Sequence, residues 1–84
     1  MSKDAGTQAV DFFLKRADYA AGLAVRHCKD NEFDKGANLY KEAYGYMKKA
    51  EAAVPDDMQI KQKLEELKQK YQEAKKNADA KKAC

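Results

Sequence analysis

Tryptophan is absent, and proline, histidine, serine and threonine each occur once in 84 residues. Valine and isoleucine are so scarce that no segment has the β-branched density of a strand. The single serine, Ser2, and the single histidine, His27, leave no material for a Ser–His–Asp triad. His27 and Cys28 are adjacent, so on a helix they diverge by about 100° and cannot chelate one ion. No Cys-x-x-Cys occurs, and the four glycines (Gly6, Gly22, Gly36, Gly45) are scattered rather than gathered into a phosphate loop. Asp56-Asp57 reads as helix N-terminal charge rather than as an acid/base pair. The expectation is a protein with no catalytic residue, no metal site and no cofactor. The longest apolar run, residues 20–25, is far too short to span a bilayer. "MSKD" leads into no apolar signal region. Two cysteines do not make a disulfide framework. Cys28 falls on an apolar helix face and Cys84 is the last residue. These features lead to the expectation of a cytoplasmic protein with reduced thiols.

Charge of one sign is also missing. Charged residues are 37% of the chain, yet the formal net charge is only +3. A nucleic-acid partner is therefore not expected, since that footprint is one-signed and stronger. Most lysines read as the solvated faces of helices.

What is present is Ala, Glu, Lys, Leu and Gln, the strong helix formers. Apolar residues recur at three- and four-residue steps in three stretches. The first predicted helix covers 7–29, with Thr7 as N-cap and Asp4 as the alternative. Its main face carries Val10, Phe13, Leu14, Ala17, Ala21, Ala24, Val25 and Cys28. A second, thinner line of Phe12, Tyr19 and Leu23 lies well away from Ala17. Asp30-Asn31 breaks the pattern and is expected to cap a second helix over 32–54. Around Tyr40, that helix shows an apolar arc of roughly 200°, about twice what one neighbour requires. The arc takes in Phe33, Gly36, Ala37, Leu39, Ala43, Tyr44, Tyr46, Met47, Ala50 and Ala53. Such a helix is contacted from two sides. Gly36 inside the arc implies close backbone approach, and Gly45 points outward. "VPDDM" breaks the chain again, with Asp56 and Asp57 suited to the start of a third helix over 57–79. Ile60, Leu64, Leu67, Tyr71, Ala74 and Ala78 form its narrow seam. Three such helices with short links predict one all-α domain over 7–80. It would be an antiparallel up-down-up bundle about 33 Å long. Residues 1–6 are expected as a flexible tail and 81–84 as a basic one.

"GANLYKEA" places Gly36, Tyr40 and Ala43 as in the second helix of a tetratricopeptide repeat. That repeat expects proline where Lys48 stands, and here proline comes late, at Pro55. No second copy of the pattern exists for a repeat to stack on. The extra turns lengthen the helix to match the other two.

Residues 17–50, "ADYAAGLAVRHCKDNEFDKGANLYKEAYGYMKKA", more closely resemble the MIT domain (microtubule-interacting and trafficking). The resemblance rests on Ala17, Ala21 and Ala24 in the first helix, on Asn31-Glu32-Phe33 at the turn, and on Gly36, Leu39, Tyr40 and Ala43. Tyr46-Met47 and the tyrosine-bearing third helix complete it. Gly36 replaces the family's usual alanine, and Cys28 stands where an acid is common. MIT domains bind C-terminal tails of ESCRT-III subunits, either as a helix between helices 2 and 3 or as an extended, proline-bearing segment between helices 1 and 3. The resemblance therefore implies a monomeric module for an ESCRT-III-type peptide. It would recruit a larger host protein, such as an AAA ATPase, to endosomal or other membranes, and would itself meet membrane only indirectly. The expected helix 2/3 groove comprises Leu39, Tyr46, Ala50, Leu64, Leu67, Lys68 and Tyr71. Phe12, Tyr19 and Leu23 are expected to line the helix 1/3 groove or a dimer contact. A tetratricopeptide-like scaffold, or a structural or oligomerisation bundle, is the alternative.

Overall fold

The computed structural model describes residues 2–83, with side chains described from 9 to 81; Cys84 and the side chain of Thr7 lie outside these bounds. Three helices make up the architecture: α1 (Ser2–Lys29), α2 (Phe33–Ala53) and α3 (Met58–Ala83). The described residues form no strand. The fold is the expected all-α, three-helix antiparallel arrangement. Two boundaries differ from expectation. α1 begins at Ser2, ahead of Thr7, and α3 runs on to Ala83. The Cα envelope is 55 Å long, not 33 Å. α1 has 28 residues and α3 has 26, against 21 in α2, so both outrun the middle helix. At about 1.5 Å per residue, α1 alone is about 42 Å long.

α2 is the central element. α1 and α3 each pack along it and scarcely approach one another. The core follows from that. Ala17, Ala20 and Ala24 of α1 meet Ala43 and Ala50 of α2, while Ile60, Leu64, Leu67 and Ala74 come from α3. Tyr40 and Met47 sit on the midline of the α2 arc and are both buried. Small residues dominate the α1 side, which lets those two helices approach closely. Gly36 marks the tightest point. A Cβ there would collide with the Cys28 sulfur and come 3.2 Å from the Ala24 carbonyl oxygen. Gly45 is exposed with open space around it, as its outward position implied. The seam of α3 appears as expected, with Tyr71 half-buried and the rest buried. Val25 departs from its predicted face. It is 39% exposed, because α3 does not close over that side of α1.

The turn between α1 and α2 is built differently from the expectation. Asn31 does not cap α2. Its backbone is left-handed, with φ at 63°. The Asn31 N–H donates to the Cys28 carbonyl (3.0 Å) and the Glu32 N–H to the His27 carbonyl (2.8 Å). That pair of bonds closes the C-terminus of α1 in a Schellman arrangement, in which asparagine is the usual substitute for glycine. Asn31→Val is expected to lower stability by about 1–2 kcal/mol, because a β-branched residue resists this conformation. Asn31→Gly should leave stability unchanged or slightly raised. Urea denaturation of both variants checks the pair.

At the next turn Val54 ends α2, its N–H donating to the Ala50 carbonyl at 3.1 Å. Asp57 then caps α3. Its carboxylate accepts from the Gln59 and Ile60 backbone N–H groups at 2.9 and 3.2 Å. Pro55 lies in the exposed link rather than in a helix.

Three side-chain hydrogen bonds tie the α1–α2 turn. Lys81 Nζ donates to the Asn31 carbonyl at 2.7 Å, anchoring the far end of α3 beneath the turn. His27 Nδ1 donates to Glu32 Oε1 at 2.8 Å, and Lys35 Nζ to Glu32 Oε2 at 3.2 Å. The His27 bond, with Lys35 second, holds the Glu32 carboxyl below the usual carboxylate range. A depressed acid contributes stability at pH values above its unfolded pKa. That contribution disappears as pH falls through the folded value. Wild type should therefore lose stability relative to Glu32→Gln as the solution is acidified through the carboxylate range. Thermal melts of the two proteins at neutral and acid pH measure the difference.

Candidate peptide-binding faces

Two helices packed on a central one leave three outer faces, and each has distinct chemistry. The α2/α3 face is a shallow groove of about 270 Å³ lined by Lys41, Tyr44, Lys68, Tyr71 and Gln72. Tyr44 and Tyr71 are half-buried and both line it. The Lys75 ammonium stands 6.0 Å from the centre of the Tyr71 ring. Residues seven apart on a helix share a face to within about 20°. Lys61, Lys68 and Lys75 therefore form one cationic rail along α3, and Lys41 and Lys48 another along α2. Glu51 partly offsets this, lying 3.5 Å from Lys48.

The α1/α3 face is a longer groove, open because those helices do not meet. It consists of two clefts of about 310 and 240 Å³ that share Val25, Tyr40 and Lys70. Tyr40 and Met47 of α2 form its floor, and Ala17, Ala21 and Gly22 its α1 wall. Lys63, Glu66, Lys70 and Glu73 on α3 give it mixed charge. Lys63 and Asp18 face each other across it at 3.9 Å, an exposed pair that contributes little. Cys28 and Tyr40 line the larger cleft. Burial, reinforced by the nearby Glu73 carboxylate, pushes the Cys28 thiol above its ordinary pKa, against an opposing pull from Lys70. Burial, then Cys28 and Glu73, does the same to the Tyr40 hydroxyl. Both groups are thereby kept protonated and neutral, so neither is poised as a nucleophile. Among the described residues, no cluster of His, Cys, Asp and Glu is placed to hold a metal.

The third face runs along the outer junction of α1 and α2. Arg16, Tyr19, Leu23, Leu39, Glu42 and Tyr46 line a small cleft there.

This arrangement redistributes the expected site residues. Lys68 and Tyr71 do lie in the α2/α3 groove. Leu39 and Tyr46 do not; they belong to the α1 side of α2. Ala50 is fully buried, and Leu64 and Leu67 are core residues at 7% and 8% exposure. Phe12, Tyr19 and Leu23 follow the outer line of α1 and leave the α1/α3 groove to Ala17, Ala21, Gly22 and Val25. The physical reason is handedness. A 200° apolar arc shows that two neighbours exist, but periodicity does not assign each neighbour to its side. Here α1 takes the Gly36–Ala43–Ala50 side, with Leu39 and Tyr46 at its margin. α3 takes the opposite side, that of Ala37 and Tyr44. Lys41, Tyr44 and Gln72 line the groove without belonging to the expected set, although the seven-residue lysine spacing on α2 points to Lys41.

The chain matches no protein family model, no curated protein and no solved structure. No described helix is long and apolar enough to cross a membrane.

Proposed function

We propose that the protein is a non-catalytic helical adaptor whose α2/α3 groove binds an acidic, amphipathic helical segment of another protein. The observation that carries this reading is the pair Tyr44 and Tyr71, half-buried between lysine rails on both flanks. A helix laid in such a groove presents apolar anchors at i, i+3, i+4 and i+7 to the tyrosines. Its Asp and Glu residues then meet Lys41, Lys68 and Lys75. The narrower reading, an ESCRT-III-type C-terminal tail captured on behalf of a larger trafficking protein such as an AAA ATPase, rests on the resemblance of residues 17–50 to MIT domains.

Fluorescence anisotropy with labelled ESCRT-III tail peptides of the helical class tests it. Lys41→Glu combined with Lys68→Glu should weaken binding at least about tenfold, since each rail loses the charge that lines the groove. Raising salt should weaken wild-type binding as well. Tyr46→Ala should leave affinity unchanged, because Tyr46 faces α1. Equal loss in Tyr46→Ala and in the charge-reversed variant would place the peptide elsewhere.

The α1/α3 groove supports a second mode, favoured by the continuity of its two clefts. Two clefts in series along the helices offer successive side-chain pockets to an extended segment. Gly22 lines this groove, and a Cβ there meets nothing within 4 Å. Gly22→Phe should therefore block an extended tail peptide while leaving helicity and helical-tail binding intact. Undiminished binding of the extended class by Gly22→Phe would exclude this mode.

A further inference from the structure

Phe12 and Tyr19 are the anomaly left over by both grooves. They are 55% and 65% exposed, yet they stand seven residues apart on one line of α1. Most large apolar side chains of a small domain find cover, and these two project together from the same side. Cations surround them. The Arg16 guanidinium lies 5.9 Å from the Phe12 ring centre and 5.7 Å from that of Tyr46. Lys49 stands 5.8 Å from Tyr46, and Lys15 is exposed on the adjoining turn. Glu42 lines the same cleft as Tyr19 and Tyr46, while Asp11 and Asp18 are exposed on the far side of Lys15, Asp18 facing Lys63 of α3.

We infer that this α1/α2 face docks on an anionic lipid bilayer surface. Protruding aromatics flanked by Lys and Arg form the interfacial pattern, in which rings enter the headgroup region while cations meet lipid phosphates and carboxylates. Charge complementarity selects this occupant over a second copy of the chain. A two-fold contact through the same face would gather Arg16, Lys15 and Lys49 of both copies into one interface. The α2/α3 face has more lysines but cannot substitute, because Tyr44 and Tyr71 are sunk between helices. The α2/α3 groove, on the other side of α2, stays open to a peptide while α1 lies on the lipid. Membrane contact would then be direct, not only through a partner, and the two activities are separable by mutation.

Vesicle co-sedimentation of the full chain tests the inference, using phosphatidylcholine vesicles with and without about 30% phosphatidylserine. Binding is expected with phosphatidylserine and at least about tenfold weaker without it. Arg16→Gln and Lys49→Gln should each reduce binding about fivefold. Phe12→Ser with Tyr19→Ser should abolish it, with helicity unchanged by circular dichroism. Lys41→Glu with Lys68→Glu should retain binding above the level of the Phe12/Tyr19 variant. The inference is overturned if vesicles of both compositions bind equally, if neither binds, or if the Phe12/Tyr19 variant binds like wild type. A concentration-dependent dimer in sedimentation that Phe12→Ser abolishes would also overturn it, in favour of self-association.

Discussion

Met47→Ala is expected to lower the unfolding free energy by about 2–5 kcal/mol, the range for a buried Met truncated in a packed interior. Met47 is the largest side chain that is fully buried. It lies on the midline of α2, where both outer helices press on one helix. It also forms part of the α1/α3 floor. Its loss leaves a void that neither neighbour can close, because moving α1 inward would crowd Ala43 and Ala50. Domains of this size have total stabilities on the order of 5–15 kcal/mol, so the variant should be close to unfolding. Guanidinium denaturation measures it. A loss below about 1 kcal/mol would mean that the helices re-pack around the gap.

Gly36→Ala carries the second large effect, and its sign is opposite to helix propensity. Glycine within a helix costs roughly 1 kcal/mol relative to alanine. Gly45→Ala, with open space around it, should recover about that amount. At Gly36 the new methyl group would strike the Cys28 sulfur and crowd the Ala24 carbonyl at 3.2 Å. Separating α1 from α2 to make room costs about 1–3 kcal/mol by overpacking, which exceeds the propensity gain. The sulfur part of the cost is removable. In a Cys28→Ala background, Gly36→Ala should be less damaging, and the coupling should appear in a double-mutant cycle. The Ala24 carbonyl is backbone, so part of the cost should persist. Additive effects of the two substitutions would show that the helices are not in contact as described.

The sequence made much of this legible because helical periodicity is local. The seam of α3 could be read at three- and four-residue steps, and from Ile60 to Ala78 it is buried in that register except at the half-buried Tyr71. Gly36 was legible for the same reason: a glycine inside an apolar arc marks approach, and Cys28 and Ala24 are the atoms approached. The Asn31 turn was not. Asparagine serves equally as a cap before a helix and as a left-handed residue after one, and only the backbone of α1 shows which is used. The grooves were half legible. Lys68 and Tyr71 could be placed on the right flank of α3. Leu39 and Tyr46 could not be assigned to a neighbour, because the hand of the bundle is a tertiary property absent from the pattern of either helix. The missing closure between α1 and α3, which exposes Val25 and opens the longer groove, likewise depends on how two helices sit on a third.

The proposed role of the α2/α3 groove is to receive a helical peptide. Amide chemical-shift mapping of the labelled protein during titration with an ESCRT-III tail peptide of the helical class tests it most directly. The expected result is a continuous set of shifts over Lys41, Tyr44, Lys68, Tyr71 and Gln72, with Gly22 and Tyr19 unmoved. Shifts absent at millimolar peptide, or confined to the Gly22–Val25 wall of α1, would contradict the account.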